Sequence, residues 1–143
     1  MITVRDILDR KGRQVWSVSP DDTVYEALEL MSERRIGALM VMERGRLVGV
    51  VSERDYARKV ALAGKNSREI PVRAIMTSKV YCVSPSNTIE ECMAIMTEKS
   101  VRHLPVIEGD RLDGVTSIGD VVKSVISHQE FIIEQLEHFI AGR

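Results

Sequence analysis

Residues 19–55 and 84–120 of this chain are two versions of one segment. The first reads SPDDTVYEALELMSERRIGALMVMERGRLVGVVSERD and the second SPSNTIEECMAIMTEKSVRHLPVIEGDRLDGVTSIGD. The offset is 65 with no gap, and 15 of the 37 aligned positions are identical. Unrelated segments of that length would share only a few, so the chain carries an internal duplication. Two copies of one half-domain, back to back, predict similar units that pack face to face. The cleft between them would then hold two related ligand sites.

The length of 143 residues suits one domain made of two small halves. Hydrophobic content of 44% and charged content of 29% are those of a globular protein. A net charge of −1 makes no electrostatic case for nucleic acid or a membrane surface. Apolar runs fall far short of the ~20 residues needed to span a bilayer. The start, MITVRDILDRKGR, lacks the apolar core of a signal peptide. Cys82 and Cys92 do not make a disulfide framework, and a reducing cytoplasm is the expected compartment.

Both repeats parse alike. Val15–Val18 and Val80–Val83 alternate as short strands. Ser-Pro ends each, because proline lacks an N–H and restrains the residue before it. Thr23 with Glu26, and Thr88 with Glu91, match the capping box at a helix start. Val24, Ala27, Leu28 and Met31 make an apolar helix face, echoed by Ile89, Cys92, Met93 and Met96. Two hairpins follow: Ala38–Met42 with Leu47–Val51, and Leu104–Ile107 with Leu112–Thr116. A second helix starts at Ser52 and at Ser117, the first ending near Gly64. Val4–Leu8 (VRDIL) and Val72–Met76 (VRAIM) extend the duplication to a lead-in helix. The resulting division is 4–64 for repeat one with its lead-in, 65–71 for a linker, 72–126 for repeat two, and 127–143 for a C-terminal helix. Val125, Ile126, Ile132, Ile133 and Leu136 lie on one apolar face of a helix that continues from repeat two into this tail, and that face needs a partner surface.

The order strand, helix, strand, strand, helix, closed by Gly49-Val-Val-Ser52-Glu-Arg-Asp55 and Gly114-Val-Thr-Ser117-Ile-Gly-Asp120, resembles the CBS domain. Val101–Pro105 (VRHLP) resembles a common form of the family's first hairpin strand. Two copies in tandem are similar to a Bateman module. The string Ser52–Val60 also resembles stand-alone CBS-pair regulators that carry no catalytic domain. The resemblance implies an α+β fold: a tandem CBS pair of two β-α-β-β-α repeats, small sheets packed together and helices outside. It further implies a non-catalytic adenine-nucleotide-binding regulator, taking AMP, ADP, ATP or NAD(H), with no catalytic cofactor. In the family the motif aspartate accepts the ribose hydroxyls, the motif Ser or Thr contacts phosphate, and backbone of the first hairpin strand lines the adenine slot.

Carried onto this chain, one site comprises Gly37, Ala38, Ser52, Arg54 and Asp55. The other comprises Thr77, Val80, Arg102, His103, Ser117 and Asp120. The chemistry of the residues is compatible. An ionised carboxylate only accepts hydrogen bonds, which suits two adjacent hydroxyl donors. A helix N-terminus presents free amides to phosphate, and arginine forks suit its oxygens. Repeat two has Gly119 where repeat one has Arg54, and gains Arg102 and His103, so the sites are expected to differ. Both Ser–Asp pairs also satisfy a plain helix cap. The basic residues Arg34, Arg35, Arg54, Arg58 and Lys59 are either phosphate contacts or a solvated surface.

No nucleophile–base pair, P-loop or metal-ligand spacing points to an enzyme. The expected partners are an adenine nucleotide, a second copy of the chain and an unknown regulated protein, with no nucleic acid and no membrane. The alternative is a dimerisation or protein-interaction module that works without ligand.

Overall fold

Each lead-in segment takes the form its first residues permit. Thr3 caps α1 (Val4–Lys11): its hydroxyl accepts from Asp6 N–H, and the Asp6 carboxylate accepts from Thr3 N–H. The corresponding stretch in repeat two begins after Pro71 and has Ala74 in place of Asp6. Without cap or carboxylate it makes only a 3₁₀ turn, Val72–Ala74. The structure, a computed structural model, describes residues 1–141.

After α1 come β1 (Ser17–Val18), α2 (Val24–Arg34), β2 (Ala38–Glu43), β3 (Arg46–Ser52) and α3 (Glu53–Tyr56). A π-helical turn, Ala57–Ala61, continues α3. Repeat two supplies α4 (Ile89–Lys99), β4 (His103–Glu108), β5 (Arg111–Ser117) and α5 (Ile118–Ile140). The hairpins share one register: Ala38 faces Ser52, and His103 faces Ser117. Both carry an irregularity midway, at Val41/Met42 and at Val106/Ile107. Arg44 and Gly45 both have positive φ at the first turn, as a two-residue hairpin loop demands.

The chain divides into two units that do not follow the repeats. A central unit is Gln14–Tyr81; a terminal unit joins Met1–Arg13 to Cys82–Arg143. The lead-ins are exchanged. In the terminal unit Val4 N–H donates to Asn87 O at 2.8 Å and Arg5 N–H to Pro85 O at 2.9 Å, so α1 is built onto repeat two. In the central unit Val72 N–H donates to Asp22 O at 2.8 Å, and Val50 and Thr77 exchange backbone bonds of 3.0 and 2.8 Å. Each lead-in is thus bonded to the repeat that does not follow it in the sequence. The motif glycines show why the exchange fits. A Cβ on Gly114 would lie 2.8 Å from Leu8, and one on Gly49 would lie 2.8 Å from Met76 Sδ. Leu8 and Met76 hold equivalent lead-in positions, and each sits over the other repeat's glycine.

The central core is aliphatic: Val24, Ala27 and Met31 of α2 meet Leu39, Val41 and Val51 of the hairpin, with Val60 and Val72. Each Val, Leu or Met side chain among them contributes about 1.5–3 kcal/mol when fully buried. In the terminal unit Ile89, Cys92 and Met96 are buried as the repeat requires, whereas Met93 is exposed. Two local expectations change. Thr23 accepts from Glu26 N–H at 3.1 Å, but among the described residues the Glu26 carboxylate accepts no bond from Thr23 N–H in return. There the linker covers the helix start, Val24 N–H donating to Ile70 O and Tyr25 N–H to Ser67 O. Val80–Val83 is not a strand either; Val83 makes a single parallel bridge to Val106. In repeat one Met40 N–H donates to Trp16 O at 3.2 Å. Its counterpart in repeat two is Pro105, which has no N–H, so that ladder rung is lost.

Candidate functional site

Ser52 and Asp55 form a reciprocal cap at the end of β3. Asp55 N–H donates to Ser52 Oγ at 3.2 Å, and Ser52 N–H donates to Asp55 Oδ2 at 3.0 Å. Ser117 and Asp120 repeat this at the end of β5, at 3.2 and 2.8 Å. The hairpin's first strand is tied to the same corner. Glu53 N–H donates to Gly37 O at 3.0 Å, and Ile118 N–H donates to Arg102 O at 2.9 Å. Gly37, Ala38, Ser52 and Asp55 therefore meet in one corner of the central unit, with Arg54 exposed beside them. Arg102, His103, Ser117 and Asp120 meet in the matching corner of the terminal unit. Thr77 and Val80, grouped with them from sequence, belong to the central unit, where Thr77 extends the edge of β3.

Each motif carboxylate holds a lysine. Lys59 Nζ lies 3.2 Å from Asp55 Oδ1 and donates to the Ile75 carbonyl at 2.8 Å. Lys11 Nζ donates to Asp120 Oδ2 at 2.6 Å and to the Val115 carbonyl at 2.9 Å. Both ammonium groups are thus held by a carboxylate and a backbone carbonyl. Their origins differ: Lys59 is one turn beyond Asp55 on its own helix, whereas Lys11 comes from α1. The repeat partner of Lys59 is Ser124, which is buried and carries no charge. The chemistry lost there is restored by the exchanged lead-in. Sequence reading placed Lys59 among the basic residues but missed Lys11, because 109 positions separate it from Asp120.

Burial alone would raise the Asp120 carboxyl. The Lys11 ammonium and the Ser117 amide and hydroxyl outweigh it and hold Asp120 below the ordinary carboxylate value. The His103 pKa is lowered as well, but here burial works with the neighbouring charge rather than against it. Burial, then the Lys11 charge, lower its pKa, with Arg102 adding to them and Asp120 opposing. His103 is therefore neutral at pH 7 and presents one donor and one acceptor.

The remaining basic residues divide. Arg34 stacks its guanidinium 3.9 Å from the centroid of the Trp16 ring. Arg35 ends α2 in the left-handed conformation, at φ 56°. Arg58 is exposed. Burial raises both thiols, Cys92 to about 11, so neither is a ready nucleophile. Among the described residues no cluster of three His, Cys, Asp or Glu could hold a metal ion. No described helix is long and apolar enough to cross a membrane.

A duplicated hairpin whose second strand ends in a Ser–Asp-capped helix defines a class of β-α-β-β-α module. The family model named CBS domain matches residues 4–62 and 72–127, and the chain belongs to that family. Among its relatives, the mitochondrial CBS domain-containing protein CBSX3 of Arabidopsis thaliana is 35% identical over 98% of this chain and 72% of its own length. A solved CBS-domain protein from Burkholderia ambifaria MC40-6, ascribed to signal transduction, is 51% identical with a TM-score of 0.87. That match covers 89% of this chain and 96% of the other. The hexameric CBS-CP12 protein of bloom-forming cyanobacteria is 28% identical with a TM-score of 0.76, over 85% of this chain and 71% of that one.

Proposed function

We propose that the chain is a non-catalytic adenine-nucleotide-binding regulatory module, taking AMP, ADP, ATP or NAD(H) and passing energy or redox state to a partner protein. One observation carries this reading. Twice, a motif carboxylate is fixed at a helix N-terminus with a lysine against it. Such a carboxylate is pre-oriented to accept two ribose hydroxyls. The lysine and the helix amides supply positive charge where a phosphate would lie. Signalling further requires that the nucleotide bind one state of the protein better than another.

Calorimetric titration with AMP, ATP and NADH tests the reading, with Asp55→Ala and Asp120→Ala as single-site variants. Each substitution should abolish or weaken one site by about tenfold or more, the scale of a lost hydrogen bond to a charged group. Because Arg54 has no counterpart at Gly119, the surviving sites should rank the three ligands differently. No heat with any of the three would overturn the proposal. We also read the chain as a homodimer. The specific support is the apolar face of α5, where Ile126, Ile133 and Leu136 are each about half exposed. If titrations were silent and the dimer remained, the ligand-independent interaction module would be the better account.

A further inference from the structure

α5 runs 23 residues without a break, from the motif corner to Ile140. Its first half packs on its own unit through Val121 and Ser124, which are buried. A second face, about a third of a turn away, is apolar along nearly its whole length. Val122, Ile126, Ile133, Leu136 and Ile140 recur on it at alternating steps of four and three, interrupted only at Gln129. The flanks of this seam differ. One flank carries Ile118, Val125, Ile132 and Phe139; the other carries Lys123, Glu130 and Glu137. Among the described residues, none of those three charges forms an ion pair.

We infer that α5 pairs antiparallel with α5 of a second copy of this chain, in one register. The flanks determine the direction. In a parallel pair the apolar flank of one helix meets the charged flank of the other, setting Val125 against Glu130 and Ile132 against Glu137. That would bury carboxylates against hydrocarbon. In an antiparallel pair each flank meets its own kind. Ile126 then packs on Leu136, Ile133 beside Gln129, and Ile140 on Val122. Val125 meets Phe139 on the apolar flank. Lys123 meets Glu137 on the charged flank, twice by symmetry, with Glu130 facing its own copy near the axis. A two-fold interface needs this reciprocity, residue i on j and j on i.

The size is adequate. At 1.5 Å per residue the seam from Val122 to Ile140 is about 27 Å long. Its exposed apolar side chains offer on the order of 800 Å² per protomer, what one partner brings to a specific interface. The pairing rests on the dimer put forward above but not on nucleotide binding.

The test uses the full chain with Cys82→Ser, so that Cys92, which is buried, is the remaining native thiol. Val122→Cys and Ile140→Cys are made separately, mixed and oxidised. The expected result is a covalent dimer in the mixture and little in either variant alone. Self-linking by Val122→Cys alone would overturn the antiparallel direction. A second readout uses charges on the surface, which leave folding intact. Lys123→Glu and Glu137→Lys should each weaken the dimer, by about three- to tenfold in Kd for two symmetric pairs. The double exchange should restore it. A sedimenting dimer indifferent to these exchanges and unlinked in the mixture would defeat the pairing while sparing the dimer. A monomeric full chain at micromolar concentration would defeat both, and would leave the stripe to a different partner.

Discussion

Lys11 Nζ sits 2.6 Å from Asp120 Oδ2, although the two residues stand 109 positions apart. The pair links the helix that opens the chain to the motif that closes the second hairpin. Its counterpart, Lys59 with Asp55 at 3.2 Å, is local to one helix. The same charge arrangement is thus reached by two routes. The sites are alike in geometry but differ in what moves with them, because only Asp120 is coupled to α1.

Replacing Lys11 by methionine should raise the Asp120 carboxyl, since the ammonium is the leading cause that holds it low against burial. The sign for stability follows. A carboxyl below its ordinary 3.8 contributes stability present above that pH and lost as pH falls through its lower folded value. Lys11→Met removes part of that contribution, so acid unfolding should begin at a higher pH. Carboxyl NMR titration and circular dichroism against pH would read both effects.

The same substitution should raise the His103 pKa, because burial and Lys11 are the two largest causes that lower it. In the intact protein the imidazole should titrate below its ordinary 6.5. Stability tied to the neutral ring is present above that value and lost as pH falls through the folded one. Imidazole proton shifts followed from pH 8 to 4 give the midpoint in each protein. A midpoint unmoved by Lys11→Met would show that burial, with Asp120 and Arg102, sets it without Lys11.

Gly49→Ala should destabilise more than Gly114→Ala. The new methyl at Gly114 would lie 2.8 Å from Leu8 Cδ2, the end of a flexible side chain. At Gly49 it would also lie 3.0 Å from the Thr77 carbonyl, which is backbone bonded to Val50 and slow to yield. Overpacking costs typically 1–3 kcal/mol, and Gly49→Ala should fall near the top of that range. Urea unfolding of both variants decides the order.

Thr116→Val should leave stability unchanged or raise it by about 1 kcal/mol. Thr116 is fully buried, and its hydroxyl has no hydrogen-bond partner among the described residues. Valine keeps the shape and removes the desolvated group. Repeat one already has Val51 at this position. A clear loss in thermal midpoint would mean that the hydroxyl holds a partner absent from the protein itself.

The duplication, read as sequence, determined most of this protein. Alternating aliphatics, turn residues and Thr or Ser caps are local signals, so the two hairpins and the helices at Thr23, Thr88, Ser52 and Ser117 were legible residue by residue. The Ser–Asp corners were legible too, because a cap spans three positions and needs nothing from elsewhere. Tertiary structure decided which segments complete each corner. Lead-in and repeat are contiguous in sequence, yet α1 is bonded to residues of the other repeat through Asn87 and Pro85. No local pattern records that exchange, since the steric hole it fills is the missing side chain of Gly114, seen only when Leu8 is placed above it. The Lys11–Asp120 pair follows from the same exchange. The absent strand at Val80–Val83 lies between these cases: Pro105 stood in the sequence, but its effect depended on the partner to which its missing N–H would have donated.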